Sequence, residues 1–138
     1  MIGALLDSSA VYALADRDDR WHEPMVSAAE SQPGERVVPV TVLAEASYML
    51  ATRLGPKAER RLVRAILQEE FLLEGLRMPD VARADQVLHK YADANVGFVD
   101  ASIVAVAERL RITTMLTTDR RHFSLFRPRH CRSFTILP

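Results

Sequence analysis

The chain is expected to fold as an α/β protein with a mainly parallel, five-stranded central sheet covered by helices on both faces. Five short apolar or β-branched runs alternate with longer amphipathic stretches, the order that parallel strands joined by right-handed crossover helices require. The composition agrees: 49% of the 138 residues are hydrophobic and 26% charged, the balance of a chain that buries a real core without disulfides or a structural metal. No repeat, low-complexity tract or long linker divides the sequence, so residues 1–138 read as a single domain.

In chain order, the strands are predicted at Ile2 to Leu6, Arg36 to Val40, Phe71 to Leu76, Ile112 to Thr117 and Ser133 to Leu137, each bounded by turn or charged residues. Ser8 or Ser9 is positioned to cap a first helix through Ala15, and a second runs from Trp21 to Ser31, ended by Gln32-Pro33-Gly34. Thr41 is read as the cap of an apolar helix from Val42 to Leu54, with Gly55-Pro56 as its stop and an amphipathic helix from Lys57 to Gln68 beyond it. Pro79-Asp80 opens a helix to Tyr91, and Val99 to Leu110 forms another.

Eighteen Lys and Arg balance eighteen Asp and Glu, so net charge neither favours nor excludes nucleic acid. Distribution says more. Arg109, Arg111, Arg120, Arg121, Arg127, Arg129 and Arg132 follow one another with Asp119 as the only acid among them, a skew that suits a polyanion-facing rim. Cys131 is alone, so no internal disulfide forms. The first apolar run is short and interrupted by Asp7, and no stretch reaches the roughly eighteen apolar residues of a membrane span. The chain is accordingly expected to be soluble and cytoplasmic, with no membrane partner.

Four acids far apart in the sequence fall where strands end or helices begin: Asp7, Glu45, Asp100 and Asp119. Asp7 closes the first strand, Asp119 follows the fourth, and in open parallel sheets ligands gather outside the carboxyl ends of strands. Two unit charges at about 4 Å repel by about 4 kcal/mol at an effective dielectric near 20, so clustered carboxylates need a cation or take up protons. Oxygen donors favour Mg²⁺ or Mn²⁺ over zinc, for which one Cys and four scattered His offer no ligand spacing. Asp7, Asp100 and Asp119 each also suit a helix N-terminus, through capping or the helix dipole. Glu45 is the single charge in Thr41 to Ala51, a segment apolar nearly all round; such a helix is expected to be buried, and its carboxylate to need a partner. His22, His89, His122 and His130 show no pairing signal and read as isolated surface histidines.

The segments Leu6-Asp7-Ser8-Ser9-Ala10-Val11, Val42-Leu43-Ala44-Glu45-Ala46, Phe98-Val99-Asp100-Ala101-Ser102-Ile103 and Thr117-Thr118-Asp119-Arg120-Arg121-His122-Phe123 together resemble, in order and spacing, the PIN-domain nucleases, and the likeness covers essentially the whole chain. Within that family it is most similar to the VapC-type toxins of bacterial type II toxin–antitoxin pairs. The resemblance implies a three-layer α/β/α PIN-like fold and a metal-dependent endoribonuclease. Asp7, Glu45, Asp100 and Asp119 would hold one or two Mg²⁺ or Mn²⁺ ions, and RNA would be hydrolysed by metal-activated water to a 5′-phosphate and a 3′-hydroxyl. Ser9 and Thr117 match the small hydroxyl positions that orient carboxylates or coordination waters. Many PIN domains carry a further acid near the third one, where this chain has Ile103. Arg120 and Arg121, directly after Asp119, are the candidate RNA contacts. The resemblance further implies a homodimer and a cognate VapB-type antitoxin, with Trp21, Tyr48 and Leu54 as candidate antitoxin contacts between the early helices.

Other classes fit less well. A receiver domain needs a paired acid near the first strand and a lysine after the last, but the only lysines are Lys57 and Lys90. A haloacid-dehalogenase-like phosphatase wants a second Asp where Ser9 stands. A PIN-like module that binds RNA or a partner without cutting is the non-enzymatic alternative. A related DNA nuclease is the enzymatic one, although no insertion is long enough to form an arch that threads a DNA end.

Overall fold

The structure, a computed structural model, describes residues 2–138. The elements run β1 (Ile2–Leu6), α1 (Ser8–Ala15), α2 (His22–Ser31), β2 (Glu35–Pro39), α3 (Val40–Arg53), α4 (Pro56–Leu67), β3 (Leu72–Glu74), α5 (Met78–Lys90), a 3₁₀ turn (Ala92–Ala94), α6 (Phe98–Leu110), β4 (Thr114–Leu116), α7 (Arg120–Leu125) and β5 (Thr135–Leu137). Every expected strand is present, most of them trimmed at the ends. The sheet order is β3-β2-β1-β4-β5, and all four pairings are parallel.

That order explains where a site can form. From β1 the chain steps outward to β2 and β3, then returns to the other side of β1 for β4 and β5. Right-handed crossovers in opposite directions set helices on opposite faces, and α1 to α4 pack among themselves while α5 packs on α6. Between β1 and β4 the direction of winding reverses, and the loops beyond their carboxyl ends diverge to leave a crevice. Asp7 N–H donates to Leu116 O at 3.3 Å, which holds the two strand ends together at that point.

The central strands are buried on both faces, as Leu5, Leu6, Val37, Val38, Met115 and Leu116 show with 0–1% exposure. Gly3 sits at a register shift between β1 and β2, where a Cβ would collide with the Pro33 carbonyl. Two ion-pair groups fasten α5 to α6: Arg83 to Glu108 at 2.7 Å, and Arg109 to Glu74 at 2.7 Å and to Asp80 at 3.0 Å. Among the described residues, no helix is long and apolar enough to cross a membrane.

Two expectations about α3 fail. The helix buried nearly all round is α6, with Ala101 through Ala107 all buried, while α3 buries only Val42, Ala46 and Leu50 and exposes Ala44, Glu45 and Tyr48. Alanine explains the error, because it counts as apolar in a pattern yet costs little when exposed. Nor does Thr41 cap α3. The helix begins at Val40 after Pro39, and Thr41 Oγ1 shares a 2.7 Å hydrogen bond with Ser102 Oγ of α6.

Candidate active site

Asp7 lies directly after β1 and caps α1 itself, displacing the expected Ser8 or Ser9. Its Oδ1 accepts from Ala10 N–H at 3.0 Å and from Ser9 Oγ at 2.7 Å, and its Oδ2 accepts from Thr117 Oγ1 at 2.6 Å. The same two hydroxyls serve the next loop, since Ser9 Oγ accepts from Thr118 N–H at 3.0 Å and Thr117 Oγ1 from Asp119 N–H at 2.9 Å. The β1–α1 and β4–α7 connections are thereby knitted together across the switch point.

Asp119 caps α7: Oδ1 accepts from His122 N–H at 3.1 Å, while Oδ2 meets His122 Nδ1 at 2.8 Å. Asp100 occupies the first turn of α6 and is half-buried. Glu45 stands on the exposed face of α3, one turn past Thr41, and the Thr41–Ser102 hydrogen bond holds that part of α3 against the start of α6.

Asp100 is electrostatically coupled to each of the other three acids. Burial pushes the Asp7 carboxyl up to about 6 against its hydrogen bonds, and the charge of Asp100 adds to the rise. Asp100 is also raised, first by burial and then by Asp119, with Glu45 contributing. Electrostatic strain of this kind, in acids gathered at a crevice, marks a place where a cation would be welcome. The side chains do not form a finished shell: among the described residues no three Asp, Glu, His or Cys groups stand close enough to hold one ion.

The PIN domain family model matches residues 4–127. The chain belongs to the PIN domain family. It is similar to Ribonuclease VapC26 of Mycobacterium tuberculosis (strain ATCC 25618 / H37Rv), with 34% identity over 97% of this chain and 99% of that protein. Among solved structures, it resembles the Mycobacterium tuberculosis toxin VapC20, described as cleaving the sarcin-ricin loop, at TM-score 0.76 and 22% identity over 81% of this chain and 86% of that one. It resembles VapBC2 of Rickettsia felis, solved bound to a DNA fragment of its promoter, at TM-score 0.71 and 13% identity over the full length of both chains.

Other features of this PIN domain differ from the sequence expectation. Glu45 is exposed rather than buried, because the face of α3 that carries it turns away from the stripe of Val42, Ala46 and Leu50. His122 is not an isolated surface histidine: Nδ1 faces Asp119, Nε2 faces the Ala94 carbonyl at 3.0 Å, and the hydrogen bond to Asp119 raises its pKa. His22 and His130 likewise bond main-chain carbonyls, those of Ala13 and Ile112. Arg120 reaches the Pro138 carbonyl, whereas Arg121 is exposed beside it. Ile103 is wholly buried in the core. A cleft of about 680 Å³ lies between α1, α2 and α4, lined by Val11, Leu14, Val26, Leu62 and Phe71 among others. Trp21, Tyr48 and Leu54 are not part of its wall, and Tyr48 stands 73% exposed on the opposite side of α3 from the helix's buried stripe.

The sequence did carry a signal for His122, since an Asp cap followed three residues later by His places the ring over the cap. Ser102, a hydroxyl inside an apolar helix, is the other polar group near the site that pattern reasoning passed over.

Proposed function

We propose that residues 1–138 form a single PIN domain that acts as a Mg²⁺- or Mn²⁺-dependent endoribonuclease, the toxin of a VapBC-type pair. The observation that supports this reading is the electrostatic coupling of Asp100 to Asp7, Asp119 and Glu45 beside the carboxyl edge of the sheet, in a chain 34% identical to a ribonuclease along nearly its whole length. The donor set fits a hard divalent ion, because every charged group in it is a carboxylate and the neighbours Ser9 and Thr117 are hydroxyls. Asp7, Glu45, Asp100 and Asp119 are the residues that would hold it. Once bound, such an ion supplies a water of lowered pKa and neutralises charge on the phosphodiester.

The protein's own contribution is placement. Ser9 and Thr117 grip both oxygens of Asp7 from two different loops, so the carboxylate keeps one orientation without help from a ligand. The exposure of Glu45 leaves it free to swing towards the other three acids. Arg121, unencumbered at the start of α7, offers a phosphate contact next to Asp119, while Arg120 must leave the Pro138 carbonyl to do the same. RNA is the substrate, and a cytoplasmic homodimer silenced by a VapB-type antitoxin is the proposed state in the cell.

The test is cleavage of a defined RNA by the purified chain, followed by mapping of the new 5′ ends. Asp100→Asn should abolish cleavage with the fold intact, since an amide replaces a charge at nearly constant shape. Full activity in excess EDTA refutes the metal-dependent reading.

A further inference from the structure

His122 joins two connections of the chain. Asp119 is delivered by the loop after β4, and Asp100 by the segment that leaves the 3₁₀ turn Ala92–Ala94 and passes Gly97 into α6. The imidazole spans them, with Nδ1 at 2.8 Å from Asp119 Oδ2 and Nε2 at 3.0 Å from Ala94 O. A carbonyl only accepts, so Nε2 carries a proton and donates to it. The main-chain N–H of His122 holds the other Asp119 oxygen, at 3.1 Å. With both oxygens of Asp119 engaged by one residue, the carboxylate has a single orientation, and each oxygen keeps a lone pair free.

We propose that His122 is a positioning residue of the nuclease site, which fixes the Asp119 carboxylate and sets its spacing from Asp100 by anchoring the β4–α7 loop to the Ala92–Ala94 turn. This rests on the proposed assignment of both acids as metal-holding groups. The ring's contribution is separable from helix capping. The N–H that caps α7 belongs to the main chain and survives any substitution except proline, so replacing the side chain removes only the two ring bonds. Groups that orient a ligating side chain in this way commonly change metal affinity or activity about 10- to 100-fold when removed.

The geometry allows the two arms to be removed one at a time. In an asparagine the amide nitrogen stands near the place of Nδ1, and in a glutamine near that of Nε2. His122→Asn therefore keeps the arm to Asp119, and His122→Gln keeps the arm to Ala94. The experiment is calorimetric titration of Mn²⁺ alone into the purified full-length chain and into His122→Ala, His122→Asn, His122→Gln and Asp119→Asn, with kcat and KM measured on one RNA. We expect His122→Ala to weaken Mn²⁺ binding about 10- to 100-fold and to lower kcat with KM unchanged, because both ring nitrogens are engaged by protein groups. His122→Asn should recover most of the Mn²⁺ affinity and His122→Gln little of it. Wild-type Mn²⁺ affinity in His122→Ala, or recovery by His122→Gln equal to that by His122→Asn, overturns the proposal. Asp119→Asn separates the two layers of argument. If it binds Mn²⁺ like the wild type, Asp119 holds no metal and the site assignment falls together with the role of His122. If it loses binding while His122→Ala does not, only the role of His122 falls.

Discussion

Asp7→Asn should make the metal-free protein more stable near neutral pH, an unusual direction for a change at a buried, fully hydrogen-bonded residue. Burial raises the Asp7 carboxyl from 3.8 to about 6 in spite of the lowering hydrogen bonds from Thr117, Ser9 and Ala10. A folded-state value above the unfolded one means that the folded form binds the proton more tightly. The stability so gained is complete below the unfolded value of 3.8 and is lost as pH rises through about 6. At roughly 1.4 kcal/mol per pH unit, the loss amounts to about 3 kcal/mol by pH ~8. An amide in its place keeps the carbonyl oxygen for Ser9 and Ala10, but presents N–H to Thr117 Oγ1, which must turn from donor to acceptor. That rearrangement costs about one hydrogen bond, ~1 kcal/mol, and leaves the variant ahead by about 2 kcal/mol.

The measurement is denaturant or thermal unfolding in EDTA, at several points from pH ~4.5 to ~8, for the wild type and Asp7→Asn. The difference between the two curves is the readout. Asp80 and Glu108 lose stabilisation in acid because their folded values are lowered, but both are present in both proteins; Asp100, raised and coupled to Asp7, is relieved when the Asp7 charge is removed, which adds to the variant's advantage in the same direction. The variant's advantage should be absent at the acid end and grow through pH ~6. Mn²⁺ at a hundredfold excess over Kd should then stabilise the wild type by about 2.7 kcal/mol and reverse the order. Identical pH profiles in EDTA, or a variant less stable than the wild type at the alkaline end, refute the reasoning.

Two further outcomes are expected. Arg121→Ala should weaken RNA binding and flatten the dependence of log affinity on log salt by about 0.7, the loss of one phosphate contact on a single strand; an unchanged slope makes Arg121 ordinary surface. Ala65→Arg puts bulk and charge into the cleft between α1, α2 and α4 from a half-exposed position, and should prevent co-purification of the proposed antitoxin while leaving the proposed RNA cleavage intact. Retention of the complex would place the apolar anchors of the partner elsewhere.

The fold was legible because the sheet is parallel and buried on both faces. A strand in that setting is a short continuous apolar run, as at Ile2 to Leu6, and a helix must intervene before the next one. Helix ends were legible wherever a residue of special conformation stood there, as at Gly55, whose φ is 100°, followed by Pro56. The burial of individual helices was not. Composition made α3 appear more deeply buried than α6, yet the sequence carries no record of how many neighbours each helix acquires. The expected burial of Glu45 fails with it, so its exposed carboxylate needs no partner on that account. What remains is proximity: its charge reaches Asp100. His122 lay beyond sequence reasoning in a different way, since half of its role depends on the Ala94 carbonyl, 28 residues upstream and brought near only by the fold.

Capping and the proposed site chemistry are compatible at Asp7 and Asp119, both of which cap a helix. A helix that starts just after a parallel strand has its N-terminus at the carboxyl edge of the sheet, so a capping carboxylate lies at the switch point without any further device. The cap bond occupies one oxygen and fixes the χ angles, which leaves the other oxygen to a second partner: Thr117 of the β4–α7 loop for Asp7, and the ring of His122 in α7 itself for Asp119. Two acids are thereby oriented by interactions that also stabilise the start of a helix. The consequence is an asymmetry between two kinds of substitution. An amide at either position preserves the cap and removes the charge, so it separates chemistry from folding. Alanine removes both, and a loss of activity in an alanine variant cannot be assigned to the missing carboxylate until the start of α1 or α7 is known to be intact.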